Sequence, residues 1–126
     1  MTVRRGEIYW VEFESIKGSE QSGLRPALVV QNDVGNRFSP TTVVVAITRT
    51  IPPKPYPFVV VIEPGESGLP ERSTVNCAQM ATIPQAGPSS RLRPPKGESE
   101  VCPIGRLDAD KMAAVDQALK YNLGLP

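Results

Sequence analysis

Apolar residues recur along this chain in short runs that end at glycine, proline or asparagine. Glu7 to Phe13 (EIYWVEF) is rich in β-branched and aromatic side chains, with Gly6 before it and Gly18 and Gly23 after it, which predicts a first strand. Its Trp10 is expected in a core or an interface. Pro26 to Gln31 (PALVVQ), Thr41 to Thr48 (TTVVVAIT) and Phe58 to Ile62 (FVVVI) are apolar runs of strand length and predict three more. Ser73 to Ala78 and Met80 to Ile83 read as two shorter strands, and no helical period is visible before residue 105. The pattern then changes. Met112, Val115, Leu119 and Leu123 recur at three- and four-residue steps, one stripe of an amphipathic helix from Asp108 to Leu123. Asp108 suits its N-cap, Asp110 its first turn, Lys120 its last turn, and Gly124 a left-handed C-cap. Pro84 to Pro103, rich in proline and carrying Gly87 and Gly97, predicts an irregular connection with room for one short strand.

At 126 residues the chain suits one domain, residues 1–126, with one modest core. Five to seven short strands followed by a terminal helix define a mainly β class. The expected architecture is a small SH3-like antiparallel β-barrel with a C-terminal α-helix, its edges closed by curling. A fold of this kind names no function.

Composition narrows the chemistry. Hydrophobic residues make up 40% and charged residues 21%, too apolar for a disordered chain. A net charge of +1 is not that of a strong non-specific nucleic-acid binder, so any basic groove must come from local clustering. Nine of the fourteen cations are arginine, the better bidentate ligand for phosphate. The absence of histidine removes the commonest general base and metal ligand, and the usual activator of a serine or cysteine nucleophile. Cys77 and Cys102 form no CxxC or Cys/His cluster, so free thiols are expected, and no metal site or other cofactor. The first residues, MTVRRGEIYW, lack an apolar run of signal-peptide length. The longest apolar stretches, such as Val43 to Ile47, are too short to span a bilayer, so a cytoplasmic location is expected.

Lys17 to Gln31 (KGSEQSGLRPALVVQ) is a polar loop that delivers Arg25 to the start of an apolar strand. Pro26 biases Arg25 toward an extended conformation, and Gly18 and Gly23 allow a tight fold-back, so Glu20, Gln21 and Arg25 can converge on one pocket. The plainer alternative is a surface arginine in an ion pair and a solvated glutamate. Thr48 ends its strand and can present its hydroxyl at a strand mouth, although β-propensity alone would place a threonine there. The loop Arg49 to Phe58 (RTIPPKPYPF) mixes Arg49 and Lys54 with Tyr56 and Phe58. It suits phosphate contact and base stacking, or equally a proline-stiffened surface loop with Phe58 in the core.

Taken together, RRGEIYWVEF, GSEQSGLRPALVVQND, VVVAIT, YPFVV, NCAQMATI and IGRL, with the AL and LGL of the last helix, resemble the MazF/PemK toxin family from end to end. The resemblance implies the barrel type shared by MazF, PemK and CcdB toxins. It also implies a toxin of a toxin–antitoxin pair: a homodimeric, metal-independent, sequence-specific endoribonuclease of single-stranded RNA, messenger RNA foremost. The products would carry 2′,3′-cyclic phosphate and 5′-hydroxyl ends. In that reaction the substrate's own 2′-hydroxyl attacks phosphorus, so no protein nucleophile and no histidine is required. Arg25 matches the family's essential arginine and Thr48 its essential threonine. Glu20 suits the base, because an arginine titrating above ~12 is a poor one. Ser19, Gln21 and Gln79 fall at polar motif positions, as candidates for base or phosphate contacts or as partners of loop backbone. The family implies an antitoxin partner whose disordered tail folds on binding.

After Arg91-Leu92 the run RPPKGESEVCP is longer than the pattern leads one to expect, which leaves the last strand and its share of a dimer surface open. Two other readings compete: a barrel toxin that inhibits DNA gyrase or another protein by binding alone, and an inert assembly module in which Arg25 and Glu20 simply pair.

Overall fold

The computed structural model describes residues 2–13 and 23–126. Strand β1 (Glu7–Phe13) pairs antiparallel with β2 (Gly23–Val29), which is followed by a short helix α1 (Asp33–Phe38) and by β3 (Thr41–Thr48). Then come β4 (Val59–Ile62), a single-turn α2 (Pro64–Ser67), the long β5 (Ser73–Pro84), two-residue strands β6 (Leu92–Arg93) and β7 (Gly105–Arg106), and the terminal α3 (Ala109–Leu123). Among the described residues the strands form one antiparallel sheet of order β4-β5-β3-β2-β1-β6, with β7 also on β1. This is a half-barrel carrying a C-terminal helix, the mainly β class that the strand pattern leads to. The outer strands β4 and β6 do not pair with each other, so curling stops short of a closed ring.

Several expectations are corrected. The second strand begins at Gly23, three residues earlier than Pro26. The Leu24–Pro26 segment pairs only with β1, and the β2–β3 ladder starts at Ala27, so the N–H that Pro26 lacks is not needed for a ladder on both sides. The two short strands expected at 73–78 and 80–83 are one strand. Its register against β3 jumps between Ala46↔Asn76 and Val45↔Met80, so Cys77, Ala78 and Gln79 bulge out. Within that bulge the Asn76 side chain accepts from the Ala78 N–H at 3.0 Å. A bulge breaks the alternation on which the sequence reading relied.

Two helices precede residue 105. In α1, Asn32 caps the helix by accepting from Gly35 N at 2.8 Å. In α2, Glu63 and Glu66 form a reciprocal capping box around Pro64. At six and four residues, neither is long enough to show a period.

The terminal helix has the expected ends. Asp108 accepts from Lys111 N at 2.9 Å, and Gly124 caps the C-terminus at φ 69°. Its buried face is Val115 and Ala118, with Met112 and Leu119 beside them. Leu123 is 54% exposed and lies off the packed stripe. This face covers Ile8, Leu28, Val45, Ile47, Ile62 and Val75 on one side of the sheet. The other side carries a second cluster of Val3, Tyr9, Val11, Phe13, Ala27, Val29, Val44, Ile83 and Leu92. Arg5 ties α3 to the strands, donating to Val30 O at 2.9 Å and pairing with Asp116 at 2.5 Å. Among the described residues no helix is long and apolar enough to cross a membrane.

Candidate functional site

Where β2 and β5 begin and β3 ends, a cavity of about 620 Å³ opens among Trp10, Arg25, Pro26, Thr48, Arg49 and Glu71. Two strand ends bring its central polar pair together. Arg25 stands opposite Val11 in the β1–β2 register, which places it on the sheet face away from α3. The β2–β3 ladder ends at Ala27 opposite Ala46, two residues short of Arg25 on β2 and of Thr48 on β3, and both of these line the cavity. Cross-strand neighbours on one face lie close enough for their side chains to act on a common group. Thr48 in turn stands opposite Thr74 on β5. Val11 and Arg25 thus face each other on one pair of strands, and Thr48, Thr74 and Val61 stand in one row on the other three.

The Thr48 hydroxyl accepts from the Thr50 N–H at 3.2 Å, a turn that fixes the strand end and leaves the hydroxyl proton for another acceptor. Arg49 is 81% exposed and reaches Glu71 at 3.6 Å, a loose surface pair that a phosphate can displace at little cost. Apolar side chains also line the cavity: Trp10, Leu24, Ile47, Leu69 and Pro70. A cationic fork, a hydroxyl and an apolar wall in one cleft suit a phosphodiester flanked by bases.

The other sequence candidates divide. Tyr56 and Phe58 stack on each other, 5.3 Å between ring centroids at 18°, and do not line this cavity; Tyr56 is exposed and Phe58 half-buried. Gln79 sits half-buried in the β5 bulge, also off the cavity lining. Ser19, Glu20 and Gln21 lie outside the described residues. Sequence reading missed Glu71, Ser73 and Thr74. Each is an ordinary polar residue near a strand start, and only the fold brings them to the arginine and threonine. Among the described residues no group of three or more His, Cys, Asp or Glu is placed to hold a metal ion. Cys77 is fully buried and Cys102 half-buried, both as free thiols. Burial pushes the Cys77 thiol up from 9.0 to about 11, which leaves it protonated and unreactive at neutral pH.

A half-barrel sheet thus brings Arg25 and Thr48 to one cavity at its strand ends. Residues 4–123 match the family of PemK-like, MazF-like toxins of type II toxin–antitoxin systems, and the chain belongs to that family. Among its relatives, endoribonuclease EndoA of Bacillus subtilis (strain 168) is 38% identical over 125 residues, covering 99% of this chain and 97% of the relative. Among solved structures, MazF of Deinococcus radiodurans superposes with a TM-score of 0.74 at 24% identity, covering 99% of each chain. An endoribonuclease from a mycobacterial species, solved with its cognate antitoxin, superposes at 0.70 with 24% identity, covering 98% of this chain and 97% of the other. These two superpositions establish likeness of fold.

Proposed function

We propose that this chain is the toxin of a toxin–antitoxin pair and acts in the cytoplasm as a homodimeric endoribonuclease on single-stranded RNA, messenger RNA foremost. The observation that carries the mechanism is that Arg25 and Thr48 line one cavity. With a phosphodiester seated there, the Arg25 guanidinium donates to the non-bridging oxygens, and the Thr48 hydroxyl donates to the same group. The 2′-oxygen attacks phosphorus while its proton passes to a base. The bond from phosphorus to the 5′-oxygen breaks, and that oxygen takes up a proton. Cyclic phosphate remains on one fragment and a 5′-hydroxyl on the other. Negative charge grows on the phosphorane oxygens, where fixed donors are most effective.

Glu20 is the proposed base. Ser19, Gln21, Gln79, Arg49, Tyr56 and Phe58 are the proposed RNA contacts. The Tyr56–Phe58 stack and exposed Arg49 flank the β3 end and suit bases and phosphates that run on beyond the cleft. The proposed protein partner is an antitoxin that covers the RNA path. The reaction as drawn uses no metal.

The test is cleavage of a long mixed-sequence RNA in excess EDTA by the wild type, Arg25→Ala and Thr48→Ala, with fragment ends mapped. Discrete cuts carrying cyclic phosphate, lost in both variants, support the proposal. A folded wild-type dimer that leaves the RNA intact refutes it and favours a toxin that acts by binding a protein. If Glu20→Gln cuts at near-normal rate, Glu20 is not the base.

A further inference from the structure

Thr74 carries the one buried side-chain polar atom without a hydrogen-bond partner among the described residues. The residue is 2% exposed and lies directly across from Thr48. Strand propensity does not account for it. Valine has the same shape, suits a strand equally well, and would bury no lone hydroxyl. An orphaned buried donor weakens a fold, and such violations concentrate where function needs them.

We propose that Thr74 is a positioning residue that aims the Thr48 hydroxyl at the scissile phosphate, an inference that rests on the function proposed above. The Thr48 oxygen has two lone pairs and one proton, and the Thr50 N–H already occupies one lone pair. Directly opposed strand residues hold their Cβ atoms about 4.5–5.5 Å apart, a gap that two hydroxyls close by rotation about χ1. When Thr74 donates into the second lone pair, both acceptor positions of Thr48 are filled. Its own proton then has one use left, donation to a phosphate oxygen. The buried hydroxyl thus finds its partner when the phosphate orders Thr48, and the hydrogen bond strengthens as charge builds on the phosphorane.

The test measures kcat, KM and Tm for wild type, Thr74→Val, Thr74→Ser and Thr48→Ala, using one short RNA that contains a mapped cut. Thr74→Val is expected to lower kcat on the order of tenfold, the factor set by one hydrogen bond made in the transition state, with KM within about twofold. Its Tm is expected to be equal to or above that of the wild type, because an orphan polar group has been removed. Thr74→Ser keeps the hydroxyl and is expected to hold kcat. A wild-type rate in Thr74→Val, with Thr48→Ala inactive, overturns this inference and leaves the proposed function standing. A loss in Thr74→Val that comes with a lower Tm, or that Thr74→Ser shares, overturns it as well. Failure of the wild type to cut any RNA overturns both.

Discussion

Arg25→Lys separates charge from geometry at the proposed site. Arg25 lies near the start of β2, opposite its partner Val11 on β1, and lines the same cavity as Thr48. Its backbone is fixed by the ladder, so lysine at this position keeps the same root and the same charge. It loses the planar fork that donates two parallel hydrogen bonds to one phosphate. One charge-assisted hydrogen bond contributes about 1.5–3 kcal/mol, and each 1.36 kcal/mol is a factor of ten in rate. Arg25→Lys is therefore expected to lower kcat/KM by roughly 10- to 150-fold. Arg25→Ala, which also removes the charge, should lower it by about 10³ or more. Because Arg25 is only half-buried, neither change should move Tm by more than about 2 °C. The assay is single-turnover cleavage of a short RNA containing one mapped cut, with thermal melts run in parallel. Full activity in Arg25→Lys would refute the bidentate role. Activity lost only together with the fold would refute the assignment of Arg25 to the reacting phosphate.

Three further outcomes are expected. A Cβ on Gly105 would overlap the Ser67 carbonyl oxygen, and one on Gly68 would overlap the Ile104 carbonyl oxygen, so backbone meets backbone there with no space for a side chain. Gly105→Ala should thus destabilise by about 2–4 kcal/mol in a urea titration, and a change below ~1 kcal/mol would show that the α2–β7 contact yields. Buried Gln85 donates to the carbonyls of Asn36 and Ser39, both at 2.8 Å, and accepts from Val3 N at 3.3 Å. Gln85→Ala should cost about 2–4 kcal/mol, or roughly 8–16 °C in Tm at ~4 °C per kcal/mol, and an unchanged melt would mean that water replaces these bonds. The Cys77 thiol, raised by burial from 9.0 to about 11, holds its proton longer in the folded state than in the unfolded chain. The folded state then binds more protons above pH 9, so this group's contribution to stability falls as pH rises from about 9 to 11. Tyr9, raised by burial and by its bond to Glu7, adds a loss of the same sign at still higher pH. Cys77→Val should flatten the stability profile between pH 9 and 11, and an unaltered slope would show that the thiol does not contribute.

Long apolar runs were readable as strands because burial on a sheet leaves a mark of several consecutive residues. The terminal helix was readable because its 15 residues carry both caps and a period. What escaped notice was short or irregular. α1 is held by the polar core of Asn36, which accepts from Thr42 at 2.6 Å and donates to Gln31 O at 3.0 Å. No hydrophobic pattern announces a helix anchored by buried amides. The β5 bulge opposite Val45 and Ala46 likewise looked like a break between two strands, because three extra residues reset the alternation. At the candidate site, Arg25 and Thr48 were singled out by their motifs and are brought to one cavity. Glu71 and Thr74 carry no motif and become candidates only through the fold, Glu71 by lining the cavity and Thr74 by its register opposite Thr48.

That register bears on how the proposed enzyme can vary. The separation of Arg25 and Thr48 is set by ladder pairs between β2 and β3, continuous from Val29↔Val44 to Ala27↔Ala46 and backed by a packed core on both faces. Shifting it requires slipping a strand, which would turn buried side chains to the wrong face. The proposed contacts with bases sit differently: Arg49, Tyr56 and Phe58 lie on the connection between β3 and β4, which only at Phe58 bonds to β5, its carbonyl accepting from Cys77 N at 2.9 Å. Substitution or lengthening there leaves the reacting pair in place. Under the proposed mechanism, exchanging residues 50–57 for those of a relative should therefore move the position of the cut on RNA while preserving cyclic phosphate ends. A loop exchange that abolished cleavage in a protein with unchanged Tm would instead assign this loop to the chemistry, against the division between a rigid reacting pair and a variable reading surface.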